Sequence, residues 1–589
     1  MATLLVAFPV FSDMSFAFCG NPLRSSILDD AIKREFFAKS IRIQLAGKDG
    51  YRYFNLLLMV NLCPKYDVVI IGGGHNGLVA ACYLAKAGLS VLVLEKNSEL
   101  GGATRSSQAF AGMDARLSVY SYLVSLLPQK IIDELELNLE LLRRRTASYT
   151  PKTEDGKLHE LLLLNDGQDH NRETFANLTG SDSDCRGYLE LQAMQESLAS
   201  VIWPSLTKPL VSETEMKARL DNEGKIAWQA FIEEPLGQVL EKKISSDLIR
   251  GLLFTDAKIG VSTYPHDPSL LQNRCFLYHV IGGGTGEWRV PAGGMGMLVD
   301  ELARVAQSTG KVTFATNATV HSVDPGEKLS SLAFEIDGKD ARIDARFVLC
   351  NASSKELARL TEKTETSVTV DEGTAFKVNM LLKRLPRLRS TKHSAEDAFA
   401  GTFHLDEGYE QMQESYDSSR SDEIPATPPG EIYCHTLTDP SILSPELQAK
   451  GFHTLTLFGL DMPYCLFEND NMRVRNTALQ RYLAGINQYL DEPIEECLAL
   501  DAHGKPCIEA MSAVDLEKKI HLPKGNIFHG DLTWPFAEDE KEIGQWGVET
   551  EYPNLFLCGS SAKRGGTVSG IPGHNAAKKV LQVSMDGSL

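Results

Sequence analysis

Tyr66-Asp67-Val68-Val69-Ile70-Ile71-Gly72-Gly73-Gly74-His75-Asn76-Gly77 is the stretch whose reading decides the fold. Residues 66–71 are a short β-branched run of the kind found in buried parallel strands. A glycine turn follows at once, and then a helical pattern that runs to about Ala87 before Gly88 ends it. Strand, turn and helix stand in the order of a dinucleotide fingerprint. Gly72 permits the tight turn, Gly74 lets a pyrophosphate approach the backbone, and Gly77 lets helix and strand pack closely. Gly73, His75 and Asn76 fill the same loop. A second apolar strand, residues 90–94, ends in Glu95, eighteen residues after Gly77, where a carboxylate accepts hydrogen bonds from ribose hydroxyls. Lys96 stands beside it, as a ribose neighbour or as a solvated surface lysine.

The fingerprint alone does not separate NAD from FAD. Just beyond it, Gly101, Gly102 and Ala103 form a second glycine turn able to bring backbone amides to the pyrophosphate or ribityl chain of an extended FAD. Near the other end of the chain, residues 554–558 read as a buried strand. After it Gly559, Gly565, Gly566, Gly570 and Gly573 crowd a loop that runs into a helix from about Asn575. Such a loop approaches a flat ring closely, and the helix dipole stabilises negative charge there. Residues 286–295 form a third candidate turn, followed by a helix to Ser308 and strands near 312–314 and 319–323. The run 282–286 lacks the third glycine of the fingerprint and leads to Pro291 rather than a helix, so no second nicotinamide fold is expected.

Bulk properties narrow the function. The chain has 589 residues, too many for one ordinary core, so two domains are expected. A net charge of -19 repels phosphate backbones, and with no long basic stripe a nucleic-acid partner is not expected. The longest apolar runs, such as 4–11 and 78–85, are far short of the roughly 20 residues that cross a bilayer. The 11 cysteines include no C-x-x-C, which argues against a zinc ribbon and a redox dithiol. The sequons at Asn177, Asn317 and Asn351 read as unglycosylated. Upstream of Tyr66, the basic residues Lys33, Arg34, Lys39, Arg42, Lys48, Arg52 and Lys65 suggest either an organelle-targeting arm or a poorly ordered extension. The Ser, Asp, Glu and Pro-rich run 411–430 reads as an exposed loop.

The motifs GGGHNGL (72–78), LGGA (100–103), WRVPAGGMG (288–296), LPKGNIFHGD (522–531) and LCGSSAKRGGTVSGIPGHNAA (557–577) occur in one order along the chain. Together they resemble the phytoene desaturase-like branch of the FAD-dependent amine oxidase and glutathione-reductase-fold superfamily, over residues 66–580. The resemblance implies an α/β fold: a Rossmann-type FAD-binding domain assembled from discontinuous segments, 66–124, 279–360 and 536–589, with an inserted α+β substrate domain, 125–278 and 361–535, and residues 1–65 as an N-terminal extension. It implies that Gly72, Gly74, Gly77, Glu95, Gly101, Gly102 and Ala103 hold the ADP half and pyrophosphate. Val320 meets the adenine through its backbone, and Gly559, Gly570 and Ile571 line the ribityl and isoalloxazine. The chain departs from the family pattern at Ser560, where an acid is common, and at Lys563-Arg564, where relatives often carry His-Pro.

The expected activity is FAD-dependent dehydrogenation or desaturation of a small or lipid-like organic substrate by hydride transfer to the flavin. The alternatives are a flavin-dependent amine oxidase, with an aromatic pair facing the ring, and a non-turnover flavin-binding regulator of mitochondrial function. His266, His279 and His435 are candidates to approach the ring, but no catalytic acid or base and no metal ligand is assigned. An intracellular site is expected, the mitochondrial matrix in a eukaryote or the cytoplasm in a bacterium. Peripheral membrane contact and homo-oligomerisation are compatible with this reading.

Overall fold

The computed structural model describes residues 42–47, 50–55, 65–362, 371–530 and 532–585. The chain divides into two compact units, 1–64 and 65–589. In the first, strands Arg42–Gly47 and Gly50–Asn55 pair antiparallel. The remainder of the expected N-terminal extension lies outside the described residues.

In the second unit the β-branched run forms β1 (Lys65–Ile71), with Val68 to Ile71 buried as a central parallel strand requires. Helix α1 (His75–Lys86) follows and returns the chain to β2 (Val91–Leu94), parallel to β1. Much later, helix α2 (Gly296–Ser308) leads to β3 (Val312–Ala315), which pairs parallel with β2. A meander follows: β4 (Ala318–Asp324), β5 (Ser330–Ile336) and the long β6 (Lys339–Cys350). The last strand, β7 (Leu555–Leu557), runs into helix α3 (Ile571–Met585). The sheet order is β3-β2-β1-β6-β5-β4, with β7 also on β6. The first half of β6 pairs antiparallel with β5, while its last residues take β1 on one side and β7 on the other, both parallel. This is a Rossmann-like layer whose strands come from distant parts of the chain.

Helix α1 lies between α2 and α3, and its side chains Leu78, Val79 and Leu84 share one core with Val299, Leu302 and Val580. The approach of α3 is backbone to backbone. A Cβ on Gly573 would stand 2.0 Å from the carbonyl oxygen of Asn76 and 3.1 Å from the amide of Ala80.

A second seven-stranded sheet runs in the order Ile508–Met511, Phe376–Leu382, His453–Gly459, Gly430–Tyr433, Thr402–Leu405, Thr146–Glu154, Lys157–Leu164. Its register sorts side chains by face. Val378, Leu457, Ile432 and Phe403 align across four strands and pack into one apolar core. On the other face Phe458, Glu431 and His404 align, beside the row of Thr456, Tyr433 and Thr402. That second face turns toward the first sheet's glycine turns.

The expected loop at 411–430 is corrected: its first half belongs to helix Tyr409–Arg420, which buries Met412, Ser415 and Ser419. The polar composition marks the solvent face of an amphipathic helix rather than a loop.

Gly573→Ala should lower the thermal midpoint and cost about 1–3 kcal/mol or more, the usual penalty of overpacking. Gly530→Ala is the control, because nothing lies within 4 Å of a Cβ placed there. Equal melts for the two variants would contradict the close helix contact.

Candidate functional site

The C-terminal ends of β1, β6 and β7 lie side by side, and the glycine turns leave from them. Gly72, with φ +96°, donates its amide to the carbonyl of Leu94 at 2.8 Å. The amide of Gly73 goes to Oε2 of Glu95 at 2.7 Å, and Oε1 of Glu95 accepts from the backbone and side chain of Asn97. Glu95 thus holds the turn itself, a role that spacing did not reveal. The second turn sits directly on the first: Gly101 donates to the carbonyl of Gly73 at 2.8 Å, and a Cβ on Gly102 would stand 3.7 Å from Cα of Gly74.

Asn351, at the end of β6, joins the C-terminal turn to this pair. Its Nδ2 donates to the carbonyl of Gly72 at 3.1 Å. Added Cβ atoms on Gly74, Gly77 and Gly559 would all collide with Asn351, at 2.9, 3.0 and 2.7 Å. Gly570, with φ +69°, packs on Val79 of α1, and Ile571 begins α3, buried. The sequence offered no sign of Asn351 except a sequon.

The remaining expected residues take different positions. His75 opens α1, its Nδ1 3.0 Å from Oγ1 of Thr104, while its Nε2 and Oδ1 of Asn76 are enclosed without hydrogen-bond partners. Ala103 accepts from the amides of Tyr120 and Ser121. Lys96 is exposed. Val320 is buried on β4, two residues beyond Ala318, whose amide donates to the carbonyl of Glu95 at 2.8 Å. Lys563 and Arg564 serve as ties. Lys563 pairs with Glu538 and Glu542, and Arg564 donates to the carbonyls of Ser205, Lys208 and Trp546.

A cavity of about 350 Å³ opens beside the turns. His75, Ala103, Thr104, Ser560, Thr567 and Val568 line one side, and Phe458, Glu431, Tyr433, Thr402 and His404 of the second sheet line the other. Leu252, Leu253, Asp256, Phe276 and His279 contribute a helical wall. The rings of Tyr122 and Tyr433 meet at 4.0 Å, and Tyr122 stacks on Phe458 at 5.1 Å.

Of the three histidines considered from sequence, only His279 reaches this cavity. His266 is paired with Glu241 and His435 with Asp439, both outside its lining. His529 does line it, and within the sequence only the resemblance drew attention to its segment. Its backbone is left-handed, with φ 62°, and its Nδ1 has no hydrogen-bond partner. Strain of this kind gathers where a side chain must be aimed. The neighbouring Phe528 fills the space where a Cβ on Gly566 would go, at 2.5 Å, so segment 526–530 is seated on the C-terminal glycine loop.

Burial sets the charges. It lowers His75, His279, His404 and His529 to about 4, so these imidazoles are neutral at pH 7. Burial, and then the charges of Glu431 and Glu407, raise Asp256 to about 8. Burial, and then Glu407, raise Glu431 to about 7.

Residues 70–128 match the family model of an NAD(P)-binding Rossmann-like domain. Protein Rv0897c of Mycobacterium tuberculosis (strain ATCC 25618 / H37Rv) is 43% identical over 527 residues, covering 88% of this chain and 97% of its own. The chain belongs to that protein's family. It is also a homologue of pyridine nucleotide-disulfide oxidoreductase domain-containing protein 2 of Mus musculus, 29% identical over 570 residues, with 88% of this chain and 94% of the mouse protein covered. Among solved structures, cyclohexylamine oxidase of Brevibacterium oxydans superposes with a TM-score of 0.53 at 15% identity, covering 89% of this chain and 100% of that one. The fold is therefore shared with an amine oxidase. The described cysteines are free, and all but Cys465 are buried.

Asn351→Asp keeps the side-chain shape but replaces the donor facing Gly72 with a carboxylate. We expect a loss of about 1–3 kcal/mol in urea unfolding, the cost of an unmet buried group. Wild-type stability in this variant would show that Asn351 does not clamp the turn.

Proposed function

We propose that this oxidoreductase-family chain is an FAD-dependent enzyme of dehydrogenase or desaturase type acting on a small or lipid-like organic substrate. One observation carries the reading: a single cavity is walled on one side by the converging glycine turns and on the other by the aromatic face of a second sheet. With it we propose an FAD-binding domain of 66–124, 279–360 and 536–589 and a substrate domain of 125–278 and 361–535.

The residues fit the cofactor. Gly73, Gly74 and Gly77 have no room for side chains, and Nε2 of His75 and Oδ1 of Asn76 are enclosed polar atoms awaiting partners. Gly72, Gly74, Gly77 and Glu95 would hold the adenosine and pyrophosphate, with Val320 at the adenine. Gly101, Gly102 and Ala103 would meet the pyrophosphate and ribityl, and Gly559, Gly570 and Ile571 the ribityl and ring. When bound, the flavin supplies hydride acceptance from a carbon centre. Leu253, Phe276, Phe458 and Tyr122 orient an apolar substrate body and exclude water. His529, with Nδ1 unpartnered in a residue that lines the cavity, takes the proton that leaves the substrate.

An amine substrate is the second reading, supported by the carboxyl groups of Asp256 and Glu431 on the cavity wall. Here Tyr122 and Tyr433 lie against each other rather than apart, so they leave no slot between two rings.

Purified protein should be yellow and release FAD on denaturation, and Gly74→Val should be colourless. Anaerobic addition of the right substrate should bleach the flavin, and an amine substrate in air should release peroxide. His529→Gln should keep its flavin but bleach about 10²–10⁴-fold more slowly, the usual worth of a general base. A colourless wild-type protein in excess FAD defeats the reading, and a yellow protein that no substrate class bleaches points to a non-turnover flavin binder.

A further inference from the structure

The cavity ends, on the second sheet, in a group of polar side chains that the dehydrogenase reading does not use. Cross-strand register places Glu431 directly beside His404. The chain leaving strand Thr402–Leu405 brings Glu407 back to the same point, with its Oε2 2.6 Å from Nδ1 of His404. Oε1 of Glu431 lies 4.0 Å from that same nitrogen. One ligand atom from each of the three residues falls within 4.8 Å of the others. The side chains of His404, Glu407 and Glu431 are only 5%, 0% and 8% exposed.

Two further observations point to a ligand. Glu407, whose Oε1 is completely enclosed, has the Thr255 hydroxyl beside its carboxylate, a neutral partner that leaves its charge unmet. The local charge is also one-sided. Asp256 acts on both Glu407 and Glu431, Asp406 acts on Glu407, and Arg144, held to Thr402 at 3.1 Å and lying over the Tyr433 ring, is the cation facing Glu431. Four carboxyl groups beside one guanidinium in a low-dielectric pocket are stable only if protons or a bound cation offset the charge.

We propose that His404, Glu407 and Glu431 form a divalent transition-metal site with its open coordination positions facing the cavity. One imidazole with two carboxylates is a ligand set for Zn²⁺, Fe²⁺ or Mn²⁺, whereas Ca²⁺ takes six to eight oxygens. Metal bonds of about 2.0–2.1 Å at a tetrahedral angle place ligand atoms roughly 3.3 Å apart. The 2.6 and 4.0 Å separations bracket that value, so small rotations close the site. The phenol of Tyr433 donates to Oε2 of Glu431, fixing the carboxylate with Oε1 turned to the metal, as an outer-shell partner does. His404 and Glu431 both line the cavity, so an oxygen substituent of the substrate reaches the metal directly. The site stands whether or not a flavin occupies the glycine turns.

The experiment uses the full-length protein, stripped with chelator, desalted and titrated with Co²⁺ and separately with Zn²⁺. We expect about one equivalent to bind, with Co²⁺ giving the intense visible bands of a low-coordinate site. His404→Ala and Glu407→Gln should each weaken uptake at least about 10-fold, and thermal melts identify any variant that does not fold. Uptake by the wild-type protein is read directly, so the test survives a failed variant. Fewer than a tenth of an equivalent bound by folded wild-type protein, or unchanged uptake in folded His404→Ala, overturns the proposal. An infrared signal of protonated carboxyl groups in metal-exposed wild type, lost in Glu407→Gln, would also overturn it by assigning the charge balance to protons.

Discussion

The hydrogen bond from Asn351 to the carbonyl of Gly72 holds together parts of the chain that are otherwise unrelated in sequence. Asn351 directly follows β6, the strand that pairs with both β1 and β7, so it stands where the first and last glycine turns meet. Around it the glycines are small because there is no space. Gly74 and Gly77 face the Asn351 side chain and Gly559 faces its backbone carbonyl, while Gly573 lets the final helix touch the main chain of the first.

The local part of this arrangement was legible in the sequence. A β-branched run, a glycine turn, a helix and an acid eighteen residues on specify β1, α1 and β2, because each depends on neighbours within one supersecondary unit. The same holds for the C-terminal strand, glycine loop and helix. Other features depend on pairings hundreds of residues apart. The role of Asn351 follows from its place between β1 and β7, and nothing in an Asn-Ala-Ser triplet reports that. Glu95 was placed correctly in its loop, but its bond to the amide of Gly73 depends on how tightly the turn closes. Which face of strand His453–Gly459 meets the cavity is a matter of register, and a slip of one residue would exchange Phe458 for Leu457. His529 follows the same rule, since its direction is set by a left-handed backbone seated on a loop that comes later in the chain.

Electrostatics divides the second sheet in two. Lys377 is fully buried on it and donates to the carbonyls of Ser118 and Tyr120, and burial holds its amine well below the usual lysine range. Lys258 meets Asp461 at 2.9 Å with both side chains completely enclosed. Each of these ammonium groups has its partners inside the protein, backbone carbonyls for Lys377 and the Asp461 carboxylate for Lys258, and they serve architecture. The carboxyl groups at the cavity end are different: they crowd one another, and their partners are a neutral imidazole, a phenol and one guanidinium.

The strand order carries a consequence for biosynthesis. Segment 555–585 supplies both the last parallel strand and the helix that covers α1, and it leaves the ribosome after every other described element. Until then the nascent chain presents the apolar flank of its first helix and an unpaired edge on β6. Such surfaces attract chaperones and invite association between unfinished chains. Stop codons that remove this segment should accordingly yield aggregation and clearance rather than a shortened protein with residual competence.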